Sequence, residues 1–224
     1  MRTFVRENSL SLFFLGALLV ALVGQALSGW YEYNNQALAQ AGAEISLARY
    51  VSSSQFGVDV AENWQSEYLQ FFLYILVTVW LVQRGSPESK TLGDEGEESD
   101  RDQHVGRHAT DDSPGWARAG GLRGVVFARS LGLVMGLVFL ASWLAQSVTG
   151  RVAYNVERLA DYQDPVSWAG YVTSADFWNR TLQNWQSEFL AVASMVALSI
   201  YLRQRGSPES KPVGTSHKAT GIEG

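Results

Sequence analysis

Two carboxylates lie beside stretches that are otherwise apolar, and they are the first residues with chemical potential. Glu67 follows Asn63-Trp64-Gln65-Ser66 and precedes the apolar run Tyr68–Val82. Glu188 follows Asn184-Trp185-Gln186-Ser187 and precedes Phe189–Leu202. A carboxylate inside a membrane span is costly unless paired or hydrated, and such groups mark ligand, proton or ion sites. The same placement also has a structural reading. Asn63 or Asn184 would cap a helix, the tryptophan would anchor at the interface, and the glutamate would sit in the first turn, where the helix dipole favours it. Both readings stay open at this level.

A second set of polar residues sits on the preceding apolar runs. Gln25, Gly29 and Tyr33 recur as Gln146, Gly150 and Tyr154, and the spacing of four puts each trio on one face if the helix continues past the glycine. Counted from the cytoplasmic end, Gln25 lies near the depth of Glu67, so a Gln–Glu hydrogen bond across each hairpin is sterically reasonable. Gln25, Asn63, Glu67, Gln146, Asn184 and Glu188 thus form a candidate polar ring near the outer face. The glycines would let helices approach closely.

Other chemistries are excluded. The chain has no cysteine, which removes disulfides, thiolate metal sites and thiol nucleophiles. His104, His108 and His217 all lie in polar segments, so no pair of axial histidines holds a haem inside the bilayer. His104 and His108 stand four apart near Asp111 and Asp112, but the segment lacks a hydrophobic framework to preorganise a metal site. No phosphate-binding glycine loop, Gly-x-Ser-x-Gly or His-Glu-x-x-His occurs. No catalytic residue, metal ligand or cofactor is expected. A net charge of -5 without a basic stripe argues against nucleic acid as a partner.

The elements that position these residues come from a duplication. Residues 2–90 align with residues 123–211 without a gap, and more than a third of the pairs are identical. A fixed-offset self-match of this kind is a strong repeat signal. Each copy opens with an apolar run, Leu10–Gly29 or Leu131–Gly150, long enough to cross a hydrocarbon core of roughly 30 Å. A polar loop follows, then the shorter apolar run, which reaches span length only if it starts back at Asn63 or Asn184. The expected architecture is all-α and membrane-integral, with four transmembrane helices in two tandem parallel helical-hairpin repeats. The first repeat covers 1–90 with spans at about 9–30 and 63–83. The second covers 122–211 with spans at about 127–150 and 184–204. An acidic connector at 91–121 and a tail at 212–224 are expected to be disordered. Arg2, Arg6 and the first apolar run resemble a cleaved signal peptide, but the pattern recurs internally at Arg129–Ser147, so the first run is read as a retained helix.

Arg2, Arg6, Arg84, Lys90, Arg118, Arg123, Arg129, Arg203, Arg205 and Lys211 gather on one side of these spans. The positive-inside rule therefore places both termini and the connector in the cytoplasm. Each hairpin ends in Arg-Gly-Ser-Pro-Glu-Ser-Lys, at 84–90 and 205–211. This block carries helix-stop signals, yet all seven residues recur, which makes Arg84, Lys90, Arg205 and Lys211 a candidate cytoplasmic docking site. The outer loops share Tyr50, Val51, Ser53 and Phe56 with Tyr171, Val172, Ser174 and Phe177, and Pro165 marks a helix start. They are read as short interfacial helices packed on the hairpins. Within the membrane, the first copy offers Phe71, Phe72, Tyr74 and Trp80, and the second offers smaller residues. Bulky residues of one half facing small ones such as Ala191, Ala193, Ser194 and Ala197 would interdigitate.

The Asn-Trp-Gln-Ser-Glu block, followed one span later by Arg-Gly-Ser-Pro-Glu-Ser-Lys, resembles a bacterial family of small membrane proteins known only as a domain of unknown function. The resemblance covers nearly the whole chain outside the connector. It implies a four-helix form in the bacterial cytoplasmic membrane and supplies no activity. The expected function is non-enzymatic: a structural or interaction module whose partners are the lipid bilayer and either itself or another membrane protein. The alternative is a small transporter, or a proton- or ion-conducting protein, using Glu67 and Glu188.

Overall fold

From Ser9 the first copy runs without proline through Leu-, Val- and Ala-rich sequence to Ala39. In the computed structural model, which describes residues 2–222, this stretch is a single helix of 31 residues. It follows a short helix α1 (Arg2–Glu7), and the order continues α2 (Ser9–Ala39), α3 (Leu47–Val51), α4 (Ser54–Val77), α5 (Gly115–Arg118), α6 (Gly121–Ala128), α7 (Ser130–Ala160), α8 (Trp168–Val172) and α9 (Ala175–Tyr201). Among the described residues the fold is all-α, with no strand. At 1.5 Å per residue, α2 and α7 are each about 46 Å long, well beyond a hydrocarbon core of about 30 Å. The helix does continue past Gly29 and Gly150, and each polar third carries Tyr33 and Asn34, or Tyr154 and Asn155, past the apolar part.

The second helix of each copy starts well before its expected beginning. Ser53 Oγ accepts from Phe56 N–H at 3.3 Å, and Ser174 Oγ accepts from Phe177 N–H at 3.2 Å. These serines cap α4 and α9, so Asn63 and Asn184 are interior residues rather than caps. The Asn184 amide instead donates to the Arg180 carbonyl one turn back, at 2.9 Å. Glu67 and Glu188 accordingly lie more than three turns inside their helices, where a first-turn dipole no longer explains them. At the other end α4 stops at Val77, short of the expected Val82. Thr78 Oγ1 donates back to the Tyr74 carbonyl at 2.6 Å, and the chain leaves the helix through a turn at Thr78–Trp80.

Among the described residues, α2 and α7 are the helices long and apolar enough to cross a membrane. The first 14 residues of α4 and α9 include Asp59, Glu62 and Glu67, or Asp176, Arg180 and Glu188, which lowers their apolar content. No residue in the apolar window of α2 is buried within the molecule, and Phe13, Leu19 and Val20 are 68%, 64% and 75% exposed. An uninterrupted apolar face of that length needs an apolar environment.

The chain divides into two units, each described here by itself. The first comprises Met1–Ala61 with Ala145–Thr173, and the second comprises Glu62–Leu144 with Ser174–Gly224. In the first, the α4 start packs on the α7 end: a Cβ added to Gly57 would meet Thr149 Cγ2 at 3.1 Å. In the second, the Phe72 ring lies over Gly136, where an added Cβ would come within 2.9 Å. Bulk on small is thus present for Phe72, whose ring packs on a glycine of α7, the first long helix of the second copy. The connector forms turns, a 3-10 turn at Gly106–His108 and α5.

Gly29 and Gly150 do permit a close approach, by a tyrosine side chain of the short helices α3 and α8. The hydroxyls of Tyr50 and Tyr171 overlie them so closely that an added Cβ would overlap the phenol oxygen. Gly29→Ala is expected to cost about 1–3 kcal/mol through overpacking. In thermal unfolding of the detergent-solubilised protein, adding Tyr50→Phe should recover part of that loss. Equal stability of Gly29→Ala and wild type would contradict the close contact.

Candidate functional site

A loop residue buried against a helix needs partners for both its N–H and its carbonyl. Asn34, itself buried, supplies both to Ile45. Its Oδ1 accepts from Ile45 N–H at 2.9 Å and its Nδ2 donates to the Ile45 carbonyl at 3.1 Å. Asn155 does the same for Val166, at 2.8 and 3.0 Å. Immediately after each clamped residue a serine, Ser46 or Ser167, caps the short helix α3 or α8 through its hydroxyl. The short helices expected in the outer loops are therefore present, and serine rather than Pro165 sets their start. Each brings one tyrosine back onto the long helix. The rings of Tyr33 and Tyr50 lie 5.7 Å apart, and those of Tyr154 and Tyr171 lie 5.5 Å apart. Asn, Tyr and Gly at these positions in both copies thus form one repeated lock.

The six residues of the candidate ring are divided between the two units. Gln25 and Gln146 belong to the first unit, where Gln146 is fully buried and Gln25 half-buried. Asn63, Glu67, Asn184 and Glu188 belong to the second. Asn63 and Glu67 are exposed, whereas Asn184 and Glu188 are half-buried. The two carboxylates lie within electrostatic range of each other.

One residue between Asn63 and Glu67 was not singled out by sequence reasoning. Gln65 is fully buried, and its Oε1 accepts from Trp185 Nε1 at 2.8 Å, which ties the two copies of the motif together. Its duplicate Gln186 is exposed. Trp143 sits at the centre of the surrounding aromatic cluster, with ring centroids 5.6 Å from Phe139, 6.2 Å from Phe177 and 5.9 Å from Trp185. Arg180 extends the same contact line, reaching Glu62 at 3.2 Å and Asp176 at 3.5 Å. Nothing in the sequence distinguishes Gln65 from Gln186. The difference comes from which copy faces the other helix.

The Arg-Gly-Ser-Pro-Glu-Ser-Lys block opens with the same turn in both copies. Ser86 N–H donates to the Gln83 carbonyl across a turn whose third residue, Gly85, has φ +89°; Ser207, Gln204 and Gly206 repeat it with φ +82°. A positive φ at that position suits glycine. Ser89 Oγ then accepts from Gln83 N–H at 2.7 Å, and Ser210 Oγ from Gln204 N–H at 3.0 Å. The recurrence of glycine and the second serine therefore has a structural cause. Of the candidate docking cations, Arg84 and Arg205 are exposed. Lys90 is occupied by Glu98 and the Gly96 carbonyl.

Lys211 is 1% exposed, which removes it from any docking surface. Its ammonium donates to the carbonyls of Gly85 at 2.5 Å, His217 and Ala219 at 3.2 Å, and Ser216 at 3.4 Å. Burial, and then the nearby Arg203 charge, pull its pKa below the ordinary lysine range. The tail closes the same contact, with Gly221 N–H donating to the Ser86 carbonyl at 3.0 Å and Thr220 Oγ1 accepting from Gly85 N–H at 2.9 Å. Lys211→Met leaves four carbonyls without their donor and should release the tail. Limited trypsin digestion followed by mass spectrometry should show faster cleavage after Lys218 than in wild type. Unchanged cleavage would contradict a lysine-held tail.

No curated protein and no solved structure matches this chain. One family model does match, over residues 1–222, and its description is a domain of unknown function, DUF6766. Since that match spans almost the entire chain, the protein belongs to the DUF6766 family.

Proposed function

We propose that this chain is a non-enzymatic multi-pass membrane protein acting as a structural or interaction module. It has four spans from two parallel hairpins, with both termini and the connector in the cytoplasm of a bacterium. One observation carries the reading: the residues both copies share are spent on architecture. Gly29, Tyr33, Asn34 and Tyr50, with their duplicates, pin the outer loops. Ser53 and Ser174 cap helices, and the Arg-Gly-Ser-Pro-Glu-Ser-Lys blocks form turns. The exposed apolar face of α2 supports the lipid bilayer as its first partner. A second copy of the chain or another membrane protein is the remaining partner class.

A second reading is favoured by the proximity of Glu67 and Glu188, two carboxylates deep in their helices within range of each other's charge. In it they carry a proton or an ion across the membrane, near the outer face.

The absence of native cysteine makes topology directly measurable. In intact spheroplasts, a membrane-impermeant maleimide should label Ser52→Cys in the outer loop. It should label Asp112→Cys in the connector only after permeabilisation. Labelling of Asp112→Cys in intact cells would overturn the proposed topology. Reconstituted into vesicles, wild type should show no proton flux above empty vesicles. A flux abolished by Glu67→Gln with Glu188→Gln would establish the second reading instead.

A further inference from the structure

Neither α2 nor α7 is entered straight. The chain passes from α1 to α2 at Asn8, with φ −115° and ψ 18°, and from α6 to α7 at its duplicate Arg129, with φ −117° and ψ 9°. A serine follows each, and its hydroxyl takes a carbonyl of the preceding turn. Ser9 Oγ donates to the Arg6 carbonyl at 3.1 Å and Ser130 Oγ to the Phe127 carbonyl at 2.8 Å. Back-bonding of this kind bends a helix. The ladder then resumes, with Leu12 N–H on the Asn8 carbonyl at 2.9 Å and Leu133 N–H on the Arg129 carbonyl at 3.0 Å. The same bend thus sets a short helix off from each long apolar one.

In the second copy the short helix has the character of an interfacial one. At about 100° per residue, Leu122, Val125 and Val126 of α6 share one face, and Arg123 borders it. Leu122 is 79% exposed and Val125 51%. The preceding α5 adds Trp116, which is 53% exposed and stands edge-on to the Phe127 ring at 6.5 Å. In α1, Phe4 and Val5 hold the positions of Val125 and Val126 and are likewise exposed. Apolar and aromatic side chains left open directly before a span suit the boundary between headgroups and acyl chains.

Charge identifies the occupant of that face. Residues 113–156 contain no Asp or Glu, although residues 94–112 are rich in both. Arg118 and Arg123 are exposed, and among the described residues neither pairs with a carboxylate; Arg118 donates to the Asp111 carbonyl. Arg129 reaches Glu97 at 3.0 Å, but both side chains stay more than half exposed, so the pair is a weak one. An apolar face bordered by arginines without acidic partners complements a layer that is negative outside and apolar beneath. We propose that α5 and α6 lie in the headgroup layer and bind anionic phospholipid. The inference rests on the membrane-spanning reading above and adds the lipid class to it.

With no native cysteine, the full chain can carry one fluorophore on Leu122→Cys. It is reconstituted into vesicles of phosphatidylcholine and phosphatidylglycerol, with a nitroxide near the headgroup of one lipid or the other. Phosphatidylglycerol should quench as a lipid favoured roughly fivefold or more over phosphatidylcholine. High salt should narrow that difference. Arg118→Gln with Arg123→Gln should bring the two lipids close to parity, with helical circular dichroism unchanged. Both leaflets carry the same lipids, so the result does not depend on orientation. A label on Leu19→Cys, in the apolar part of α2, separates the two claims. If lipids carrying a nitroxide deep in the acyl chain leave it unquenched, the membrane-spanning reading fails and this proposal with it. If the Leu19 label is quenched but the Leu122 label responds equally to both lipids, or to neither, the proposal alone is overturned. A Leu122 label shielded from both lipid and aqueous iodide would mean that protein covers this face, and would overturn it too. So would a preference for phosphatidylglycerol that survives in the folded arginine variant.

Discussion

The fold depends on the demand that a loop returning onto a helix satisfy its own backbone, and in both copies one asparagine meets it. Asn34 and Asn155 each pair with the N–H and carbonyl of a residue eleven positions later, at 2.8–3.1 Å. The side-chain amide thereby acts as a short piece of strand partner for a segment that has none. With the loop held at that point, the serine after it caps a short helix and the tyrosine of that helix lands on a glycine of the long one. Removing the asparagine would free the anchor on which the other two contacts rely.

Duplication gives each copy the same internal parts, but the two are used unequally. Gln65 is buried on Trp185 while Gln186 is exposed. Lys211 is enclosed by four carbonyls while Lys90 pairs with Glu98 and the Gly96 carbonyl. Tyr50 borders a cleft while Tyr171 is enclosed. Local motifs, closed within one repeat, survive in both halves because their geometry is short-range. Contacts that join one copy to the other have no reason to be symmetric once the copies are fused, and they are where the halves differ.

The same distinction explains what was legible in the sequence. Fixed-offset recurrence picked out the residues of the lock, since each lock is built from one copy's own positions, and apolar runs of span length indicated the all-α class. The partners of those residues were hidden. Asn34 bonds to a main-chain group, and a backbone partner leaves no signature in residue type. Asn63 looked like a helix cap because asparagine preceded the apolar run, yet Ser53 and Ser174 cap the helices about ten residues earlier. Hydrophobic periodicity marks where a span begins, whereas capping chemistry marks where the helix begins, and here the two are separated by a polar amphipathic segment. Lys211 was read as a surface cation because lysine is rarely enclosed, and only the folded tail supplies the carbonyls that allow it.

Amide hydrogen exchange at two loop residues tests the repeated lock most directly. Ile45 and Val166 lie outside any helix, so their N–H groups have no helical partner, yet each donates to an asparagine Oδ1. Both amides should exchange far more slowly than those of a free loop, and Asn34→Ala should remove the protection at Ile45 while leaving Val166 protected. Fast exchange at both positions in the wild-type protein would contradict the account.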